Sequence, residues 1–290
     1  MNRYAVAIAL AISFITPAAA RSAQMDVDGA VVERSGTGDP ALVILPAAGG
    51  GAAVWRATAQ RLARNRRVYT VTLPGFDGVP AAGAPYLPAY ERCVVDLIAR
   101  ERLVRPVLVG HSLGGHLALR IAERHPGLVG GVVAVDALPV FPVPAPGETW
   151  PARERAADTM HDAVVAWSPE RFASEAHATV ARLVTDAAGE RAIERGLVAS
   201  DRSAFAGAVR EMQLDDLRPD LAAIEAPVLV LAPAANGPAA AYFTDVYRTL
   251  YAGTRRVAIE TVVESRHFIM LDQPERFVRS VERFVETTAR

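Results

Sequence analysis

The sequence contains no lysine, so all of its 31 basic residues are arginines. This absence excludes mechanisms that need a lysine amine: the P-loop lysine that contacts phosphates, Schiff-base catalysis and a serine–lysine dyad. A single cysteine, Cys93, excludes disulfide bonds within the chain, CxxC redox chemistry and metal sites built from cysteine ligands. We interpret Cys93 as a buried helix residue.

The chain also lacks an excess of charge, because 32 acidic residues balance the basic ones and the formal net charge is −1. This balance argues against a surface that binds nucleic acid and against a polybasic membrane anchor. A chain of 290 residues, of which 51% are hydrophobic, can bury one large core but hardly three domains. We therefore expect one globular domain that acts on a small, uncharged or apolar partner.

The first twenty residues differ in composition from the rest of the chain. Arg3 precedes an apolar stretch at residues 4–15, and three alanines at 18–20 precede Arg21. This order is typical of a secretory signal peptide, here residues 1–20. About twelve apolar residues are too few for a membrane-spanning helix, which needs roughly twenty. We predict export to the periplasm or the medium, with no membrane anchor after cleavage.

Short apolar runs alternate with amphipathic stretches from Met25 onward. This alternation predicts a mostly parallel sheet that is covered by helices on both faces. The predicted strands are residues 41–45, 68–72, 107–109, 132–135, 228–231 and 257–262. The predicted helices between them are residues 54–62, 90–100, 113–124, 239–251 and 274–287.

The interval from residue 137 to 226 is far longer than an ordinary crossover between parallel strands. It opens with a proline-rich segment and then shows helical periodicity at residues 152–167, 169–185 and 204–217. We interpret it as a helical cap. The predicted organisation is a core in two parts, residues 21–136 and 227–290, with the cap at residues 137–226 inserted between them.

A glycine-flanked serine follows the predicted strand at 107–109, in the run Gly110-His111-Ser112-Leu113-Gly114. In a strand–turn–helix of this kind the serine occupies a strained backbone, and glycines stand where a β-carbon would collide with neighbouring elements. The serine hydroxyl is then held out at the carboxyl edge of the sheet. We therefore identify Ser112 as a candidate nucleophile; the alternative is a glycine turn that contains a serine by chance.

With this motif the sequence resembles the α/β-hydrolase family, in particular its serine esterases and lipases with a helical cap. Three further segments carry the resemblance over nearly all of the mature chain: the glycine-rich residues 45–51 with Trp55, the turn at 73–78 and the histidine loop at 265–274. The resemblance implies an α/β-hydrolase fold, with a mostly parallel central sheet flanked by helices and the cap inserted after the sixth strand. It implies no metal and no organic cofactor.

A serine hydroxyl needs a base to accept its proton, and a neutral imidazole suits that task. His267 follows the last predicted strand, in a loop that returns to the edge of the sheet where Ser112 emerges, so we predict that His267 is the base. The other five histidines are interpreted as packed or exposed side chains, although the first and the last two of them could touch substrate: His111, His116, His125, His161 and His177.

A carboxylate should orient the imidazole and stabilise its charged form. Many family members carry this acid in the loop after the strand that corresponds to residues 228–231, but the loop at 232–237 contains no aspartate or glutamate. Asn236 could orient a histidine but could not balance its charge. Asp136 follows the preceding strand, where some haloalkane dehalogenases and lipases of this fold carry their acid. We predict Asp136; the alternative role is a helix cap or hinge residue.

The carbonyl oxygen of an ester becomes negatively charged during attack and needs hydrogen-bond donors aimed at it. The resemblance implies two backbone amides for this oxyanion hole, those of Ala48 and Leu113. Pro46-Ala47 replaces the His-Gly that is usual in the family, which changes how the loop is braced but not its donors. A glycine-rich loop that binds phosphate is disfavoured by the missing lysine and by the position of Trp55.

These residues predict a secreted or periplasmic serine hydrolase that cleaves an apolar carboxylic ester or lactone through an acyl-enzyme intermediate. The turn after the strand at 107–109 carries a serine and not an aspartate as the candidate nucleophile, which argues against dehalogenase and epoxide hydrolase chemistry. Three alternatives remain: an acyltransferase, thioesterase or cofactor-free haloperoxidase with the same triad; an amidase or peptidase; and a binding protein whose site has decayed. The oligomeric state stays open.

The cap is expected to select the substrate, because it covers the sheet edge at which the serine emerges. Its apolar side chains could line a substrate pocket, although the core of the cap is the favoured interpretation for each of them taken alone. These candidates are Phe141, Trp150, Met160, Trp167, Phe172 and Met212. His111 is a further candidate for contact with the substrate.

Overall fold

The computed structural model describes residues 23–288, and for residues 237–239 it describes the backbone alone. Within these residues eight strands form one sheet: β1 Ala23–Val27, β2 Ala30–Ser35, β3 Leu42–Leu45, β4 Val68–Thr72, β5 Val107–His111, β6 Gly131–Val135, β7 Val228–Ala234 and β8 Val257–Val263. Their order is β1-β2-β4-β3-β5-β6-β7-β8. The pairs β1–β2 and β2–β4 are antiparallel, and all the others are parallel. The predicted signal peptide lies outside the described residues.

Helices cover both faces of this sheet and also form the segment between β6 and β7. They are α1 Ala52–Leu62, α2 Tyr86–Arg100, α3 Leu113–Arg124, α4 Trp150–Ala166, α5 Pro169–Leu183, α6 Ala187–Val198, α7 Arg202–Gln213, α8 Gly237–Leu250, α9 Ile269–Asp272 and α10 Pro274–Thr288, with a 3-10 helix at Arg218–Ala223. No helix among the described residues is long and apolar enough to cross a membrane.

The core consists of two apolar layers, one on each face of the sheet. Strand β3 shows why: its four residues are all buried, and Val43 and Leu45 belong to one layer while Leu42 and Ile44 belong to the other. Side chains alternate along a strand, so a strand covered on both faces must be apolar throughout. This is the reason that the sequence shows continuous apolar runs for the parallel strands.

The predicted fold class is confirmed, and the structure adds an antiparallel hairpin, β1 and β2, that the sequence did not predict. Strand β1 lies at the edge of the sheet and carries Gln24 and Asp26 among its five residues, most of them exposed. An edge strand with one open face needs no continuous apolar run. The hairpin therefore lacked the hydrophobic pattern by which the other strands were recognised.

Four helices, α4 to α7, and the 3-10 helix lie between β6 and β7. Arg153 on α4 is only 4% exposed, and its guanidinium donates hydrogen bonds to the carbonyls of Phe141, Pro142 and Gln213. These bonds fasten the segment after β6 to helices α4 and α7. Helix α6 was not predicted; its buried residues include two glycines, Gly189 and Gly196, a residue type that disfavours a helix.

Candidate active site

The turn between β5 and α3 has the strained geometry that its glycines predict. Ser112 has φ 53° and ψ −119°, in a region that residues other than glycine rarely adopt. A β-carbon at Gly110 would lie 2.2 Å from the carbonyl oxygen of Gly114, and one at Gly114 would lie 2.1 Å from that of Leu45. The amide of Ser112 donates to the carbonyl of Val135 at 3.0 Å. The turn between β5 and α3 thus packs against β3 and β6.

His267 and Asp136 form a hydrogen-bonded pair at the same edge of the sheet. Nδ1 of His267 lies 2.5 Å from Oδ2 of Asp136, and the two side chains are 22% and 20% exposed. An imidazole that donates from Nδ1 carries its lone pair on Nε2, which is then the nitrogen available as a base. Ser112, Asp136 and His267 line one cavity. The structure thus brings together the three residues predicted as nucleophile, acid and base.

A tyrosine that the sequence did not predict completes the surroundings of the carboxylate. The hydroxyl of Tyr247, on α8, donates to Oδ1 of Asp136. Burial, and then the charge of Asp136, raise the pKa of Tyr247 well above its ordinary value, so the hydroxyl stays a donor. Tyr251, one turn later, donates instead to the carbonyl of Ala137 at 2.8 Å. No sequence motif links Tyr247 to Asp136, from which it is 111 residues distant.

The two residues predicted to supply the oxyanion hole, Ala48 and Leu113, lie at the cavity and next to Ser112 in the chain. Ala48 lines the cavity, and Leu113 is the first residue of α3, where a backbone N–H has no acceptor within the helix. Ser200, in the loop after α6, is buried; its hydroxyl lies 2.8 Å from the carbonyl of Gly196, on α6, and 3.3 Å from that of Gly49. A residue from the segment between β6 and β7 thus lies against the glycine-rich loop.

His111 is fully buried and does not line the cavity that contains Ser112. Its Nε2–H donates to the carbonyl oxygen of His267 at 3.0 Å, and the two imidazole ring centroids are 4.4 Å apart. Burial, and then the neighbouring His267, hold the pKa of His111 well below its ordinary value, so its ring is neutral. The expectation that His111 could touch substrate is corrected: as a strand residue next to Ser112 it points into the protein and supports the histidine loop.

The cavity at Ser112 has a volume of about 380 Å³ and is mostly apolar. Four polar side chains line it: Ser112, Thr179, Asp136 and His267. The remaining lining residues are apolar, and two of them, Phe141 and Met212, were predicted: Ala47, Ala48, Ala137, Leu138, Phe141, Val180, Leu183, Ile193, Leu197, Phe205, Val209, Met212 and Phe268.

Trp150, Met160, Trp167 and Phe172 do not line this cavity, so their assignment to the substrate pocket is corrected. Trp150 is 47% exposed at the start of α4, and the other three form a small core inside the cap with Val164 and Ala206. Apolar side chains at helical spacing pack first between the helices that carry them.

The cavity is lined instead from helices α5, α6 and α7. Ile193 and Leu197 on α6, and Phe205 and Val209 on α7, are spaced four residues apart and therefore share one helix face. That spacing was the available signal for these residues. It was missed on α6 because the helix itself was not recognised.

The loop that carries His267 is hydrogen-bonded to the end of helix α5. The carboxylate of Asp272 accepts hydrogen bonds from the amide of Thr185 at 2.7 Å and from its hydroxyl at 2.6 Å. It also accepts from the amide of Arg266 at 2.8 Å, and the amide of Phe268 donates to the carbonyl of Leu183 at 3.2 Å. The position of the imidazole is therefore tied directly to the segment between β6 and β7.

The remaining residues considered for chemistry have structural surroundings. His116 is buried, with Nδ1 3.0 Å from the carbonyl of Leu138 and Nε2 3.0 Å from Asp215. Burial raises the pKa of the Cys93 thiol to about 11, which leaves it unreactive. Among residues 23–288 no group of three or more histidine, cysteine, aspartate or glutamate side chains is placed to hold a metal ion.

Residues 42–280 match the family model described as "Alpha/beta hydrolase family", and the chain belongs to that family. A pimeloyl-[acyl-carrier protein] methyl ester esterase from Aromatoleum aromaticum is 40% identical over 102 residues, which cover 35% of this chain and 39% of that protein. The match thus spans about two fifths of that relative. A protein of the same name from Aeromonas hydrophila is 28% identical over 273 residues, covering 88% of this chain and 98% of that protein.

Two solved structures have the same fold. An esterase from Thermogutta terrifontis has a TM-score of 0.76 and 18% identity, over 93% of this chain and 99% of that one. The enol-lactonase from Burkholderia xenovorans LB400 has a TM-score of 0.71 and 21% identity, over 91% of this chain and 100% of that one. The predicted class of enzyme, a carboxylic ester hydrolase, is that of the named relatives.

Proposed function

We propose that the protein is a serine hydrolase that cleaves apolar carboxylic esters or lactones through an acyl-enzyme intermediate. The observation that carries this proposal is the pair His267–Asp136, joined at 2.5 Å, beside Ser112 in one cavity. Asp136 holds Nδ1–H, so Nε2 is the nitrogen that accepts the proton of the Ser112 hydroxyl.

In the first half of the reaction Oγ of Ser112 attacks the ester carbonyl carbon while its proton passes to Nε2 of His267. Negative charge develops on the carbonyl oxygen, where the amides of Ala48 and Leu113 stabilise it. The bond between the carbonyl carbon and the alcohol oxygen then breaks, and His267 returns its proton to that oxygen. The products are an acylated Ser112 and a free alcohol.

In the second half His267 removes a proton from water, and the resulting hydroxide attacks the acyl carbon. The bond to Oγ of Ser112 breaks, the proton returns to the serine and the carboxylic acid is released. Throughout both halves the carboxylate of Asp136 balances the positive charge that His267 carries transiently. The residues of the chain suffice for each proton transfer.

The lining of the cavity supports an apolar substrate. Its one charged side chain among the described residues, Asp136, is already engaged by His267 and Tyr247. A charged acyl group would therefore lose its hydration there without gaining an opposite charge. The two relatives are named for an ester as substrate; we transfer the ester bond, and not the acyl carrier protein, to this chain.

Labelling by a fluorophosphonate probe tests the nucleophile. We expect stoichiometric labelling of the wild-type protein, loss of labelling in Ser112→Ala, and unchanged labelling in the control Ser203→Ala, an exposed serine on α7. Loss of hydrolysis of methyl butanoate should accompany the loss of labelling. An unlabelled wild-type protein that hydrolyses no ester of a chain-length panel would contradict the proposal and favour a binding protein. Analysis of the products in the presence of an added alcohol distinguishes the two reactions: hydrolysis releases the carboxylic acid, whereas acyl transfer forms a new ester with the added alcohol.

The N-terminal segment bears on the compartment in which the protein acts. We infer that residues 1–20 are a signal peptide, because a positive residue, an apolar stretch and small residues follow one another in the required order. Expression of the full chain in a Gram-negative host, followed by fractionation and N-terminal sequencing, tests this inference. We expect a periplasmic product that begins near Arg21; an uncleaved product in the cytoplasm would contradict it.

A further inference from the structure

Thr179, on helix α5, lines the cavity at Ser112 and carries a hydroxyl that the proposed mechanism does not use. The other three polar side chains among the described lining residues are Ser112, Asp136 and His267, and each of them has a place in the reaction. All the remaining lining residues are apolar. In an apolar pocket a few well-placed polar groups fix the orientation of a ligand and select it.

Within the part of the chain that the structure describes, the hydroxyl of Thr179 makes no hydrogen bond to the protein. A helical threonine can bond back to the carbonyl four residues earlier, and Thr159 and Thr244 do so at 2.7 and 2.6 Å. Thr179 does not, and its side chain is only partly buried where it lines the cavity. Its hydroxyl is therefore available to a substrate, both as a donor and as an acceptor.

The position of Thr179 along α5 places it at a distance from the histidine loop. The end of α5 meets that loop, where the carbonyl of Leu183 accepts from the amide of Phe268 at 3.2 Å. Thr179 lies one turn earlier on the same face of the helix, roughly 6 Å from Leu183 along the axis. The alcohol oxygen of an ester must lie beside His267, which protonates it. The acyl chain is therefore the part of the substrate that extends toward Thr179.

The lining of the cavity favours an uncharged partner for this hydroxyl. No arginine is among the described lining residues, and the one charged side chain, Asp136, is already bonded to His267 and Tyr247. A charged group on the acyl chain would lose its hydration there without gaining an opposite charge. A keto or hydroxyl oxygen exchanges a hydrogen bond to water for one to Thr179.

A saturated acyl chain meets the opposite situation at Thr179. Its methylenes would cover the hydroxyl and remove it from water without offering a hydrogen bond, which has a cost in free energy. A site built to form a hydrogen bond discriminates against an analogue that lacks the matching group for the same reason. Both effects favour an acyl chain that carries an oxygen at this point.

We propose that Thr179 is a specificity-determining residue, which binds a keto or hydroxyl oxygen on the acyl chain of an otherwise apolar ester. This inference rests on the proposed function. The hydroxyl of Thr179 donates to a keto oxygen, and it donates to or accepts from a hydroxyl group. Thr179 takes no part in the proton transfers, and the bonds that form and break at the ester carbonyl are those of hydrolysis.

Methyl octanoate and its derivatives with a keto group at the fifth, sixth or seventh carbon test the proposal, with acid release followed by titration at constant pH. We expect one keto isomer to exceed methyl octanoate about tenfold in kcat/KM, because a hydrogen bond is gained and the hydroxyl of Thr179 is not left unpaired. The ester with a hydroxyl group at the same carbon should share this preference.

Thr179→Val removes the hydroxyl and keeps the branched shape of the side chain, and we expect it to lower the keto-to-octanoate ratio of kcat/KM about tenfold. Thr179→Ser retains a hydroxyl and should keep the ratio within threefold of the wild type. The matched control is Thr159→Val, at an exposed threonine on α4, which should change the ratio less than twofold. A loss of packing alone would lower kcat/KM for both esters by the same factor.

The proposal is overturned if no keto or hydroxy ester surpasses methyl octanoate, if a folded Thr179→Val keeps the wild-type ratio, or if Thr179→Val acts instead on a keto group placed in the alcohol part. Thermal melting checks that each variant is folded. A failure of the proposed function differs from these outcomes, because Ser112 would then not be labelled and no ester would be hydrolysed. Hydrolysis of methyl octanoate with labelling of Ser112, but without any effect of the added oxygen, would reject the role of Thr179 alone.

Discussion

Two of the histidine–aspartate pairs among the described residues are largely buried, and only one of these two borders the cavity at Ser112. In the pair His267–Asp136 the carboxylate holds Nδ1, and the ring lines the cavity. In the pair His116–Asp215 the carboxylate lies 3.0 Å from Nε2, while Nδ1 lies 3.0 Å from the carbonyl of Leu138. Both nitrogens of His116 are thus occupied by the protein. The contrast shows that a hydrogen-bonded pair becomes a base only when its second nitrogen faces a space that a substrate can enter.

The two carboxylates also differ in their second partner. Asp215 accepts from the guanidinium of Arg120 at 2.6 Å, a cation that also donates to Glu91 at 2.9 Å, so its charge lies beside a largely buried positive charge. Asp136 accepts from the neutral hydroxyl of Tyr247. A neutral donor orients the carboxylate without cancelling its charge, which stays available to stabilise a protonated His267.

Replacement of the carboxylate beside His267 should produce the largest effect. We expect Asp136→Asn to lower kcat about 10⁴-fold, because an amide neither balances the imidazolium nor selects the required tautomer. Steady-state kinetics with butyl butanoate measure the loss. Asn236→Ala is the control for the loop after β7 and should keep kcat within threefold. If instead Asn236→Ala abolished activity and Asp136→Asn retained it, the triad would be completed from the later loop.

Removal of the carboxylate from the second pair, His116–Asp215, should lower the stability of the protein instead of its turnover. Asp215→Ala removes one of the two carboxylates that Arg120 contacts, the other being Glu91, and the partner of Nε2 of His116, which we expect to cost about 1–3 kcal/mol of unfolding free energy. Urea denaturation followed by circular dichroism measures this loss. For the folded fraction, kcat should stay within threefold. A stable Asp215→Ala variant with greatly lowered kcat would reverse the roles of the two pairs.

Acid titration of stability adds a second readout for Asp215. Burial opposes its ionised form, but hydrogen bonds from His116 and Arg120 outweigh burial and lower its pKa. A carboxyl group with a lowered pKa stabilises the fold above the ordinary aspartate value, about 3.9, and loses this contribution as the pH falls below that value. The free energy of unfolding, measured from pH 5 downward, should therefore decrease less steeply with falling pH in Asp215→Ala than in the wild type.

The smallest effect should come from the hydroxyl that orients Asp136. Tyr247→Phe removes a hydrogen bond to a charged group, and we expect kcat to fall about tenfold with little change in KM. Tyr251→Phe is the matched control: its hydroxyl, also buried, contacts a backbone carbonyl instead of the carboxylate, and kcat should change less than twofold. Equal losses of kcat in the two variants would show that helix packing, and not the donor to Asp136, is responsible.

The parts of the site that the sequence predicted are those fixed by local sterics. The backbone of Ser112 needs glycines at 110 and 114, and the same spacing appears in the sequence. Asp136 was predicted from the resemblance, because the loop at 232–237 contains no acid and some members of the family carry theirs after the preceding strand. The parallel strands were predicted because burial on both faces leaves continuous apolar runs.

The parts that were missed depend on contacts between distant segments. Tyr247 lies on a helix whose register against the sheet sets its contact with Asp136, and the sequence of α8 alone does not reveal that register. Helix α6 buries Gly189 and Gly196 where it approaches Leu271 and the glycine-rich loop, so small residues that sequence reasoning associates with turns lie inside the helix beside the apolar Ile193. Trp150 and Trp167 show the converse, because aromatic character alone does not tell a surface or internal position from a pocket wall.

The hydrogen bonds between Asp272 and Thr185 have a consequence for protein engineering. Replacement of helices α5 to α7 by those of a relative would change the lining of the cavity at Ser112. In this protein such a graft would also replace the residues that support the histidine loop, so a new specificity and a misplaced imidazole would arrive together. A chimaera that keeps Leu183, Thr185 and Asp272 as one unit separates the two effects.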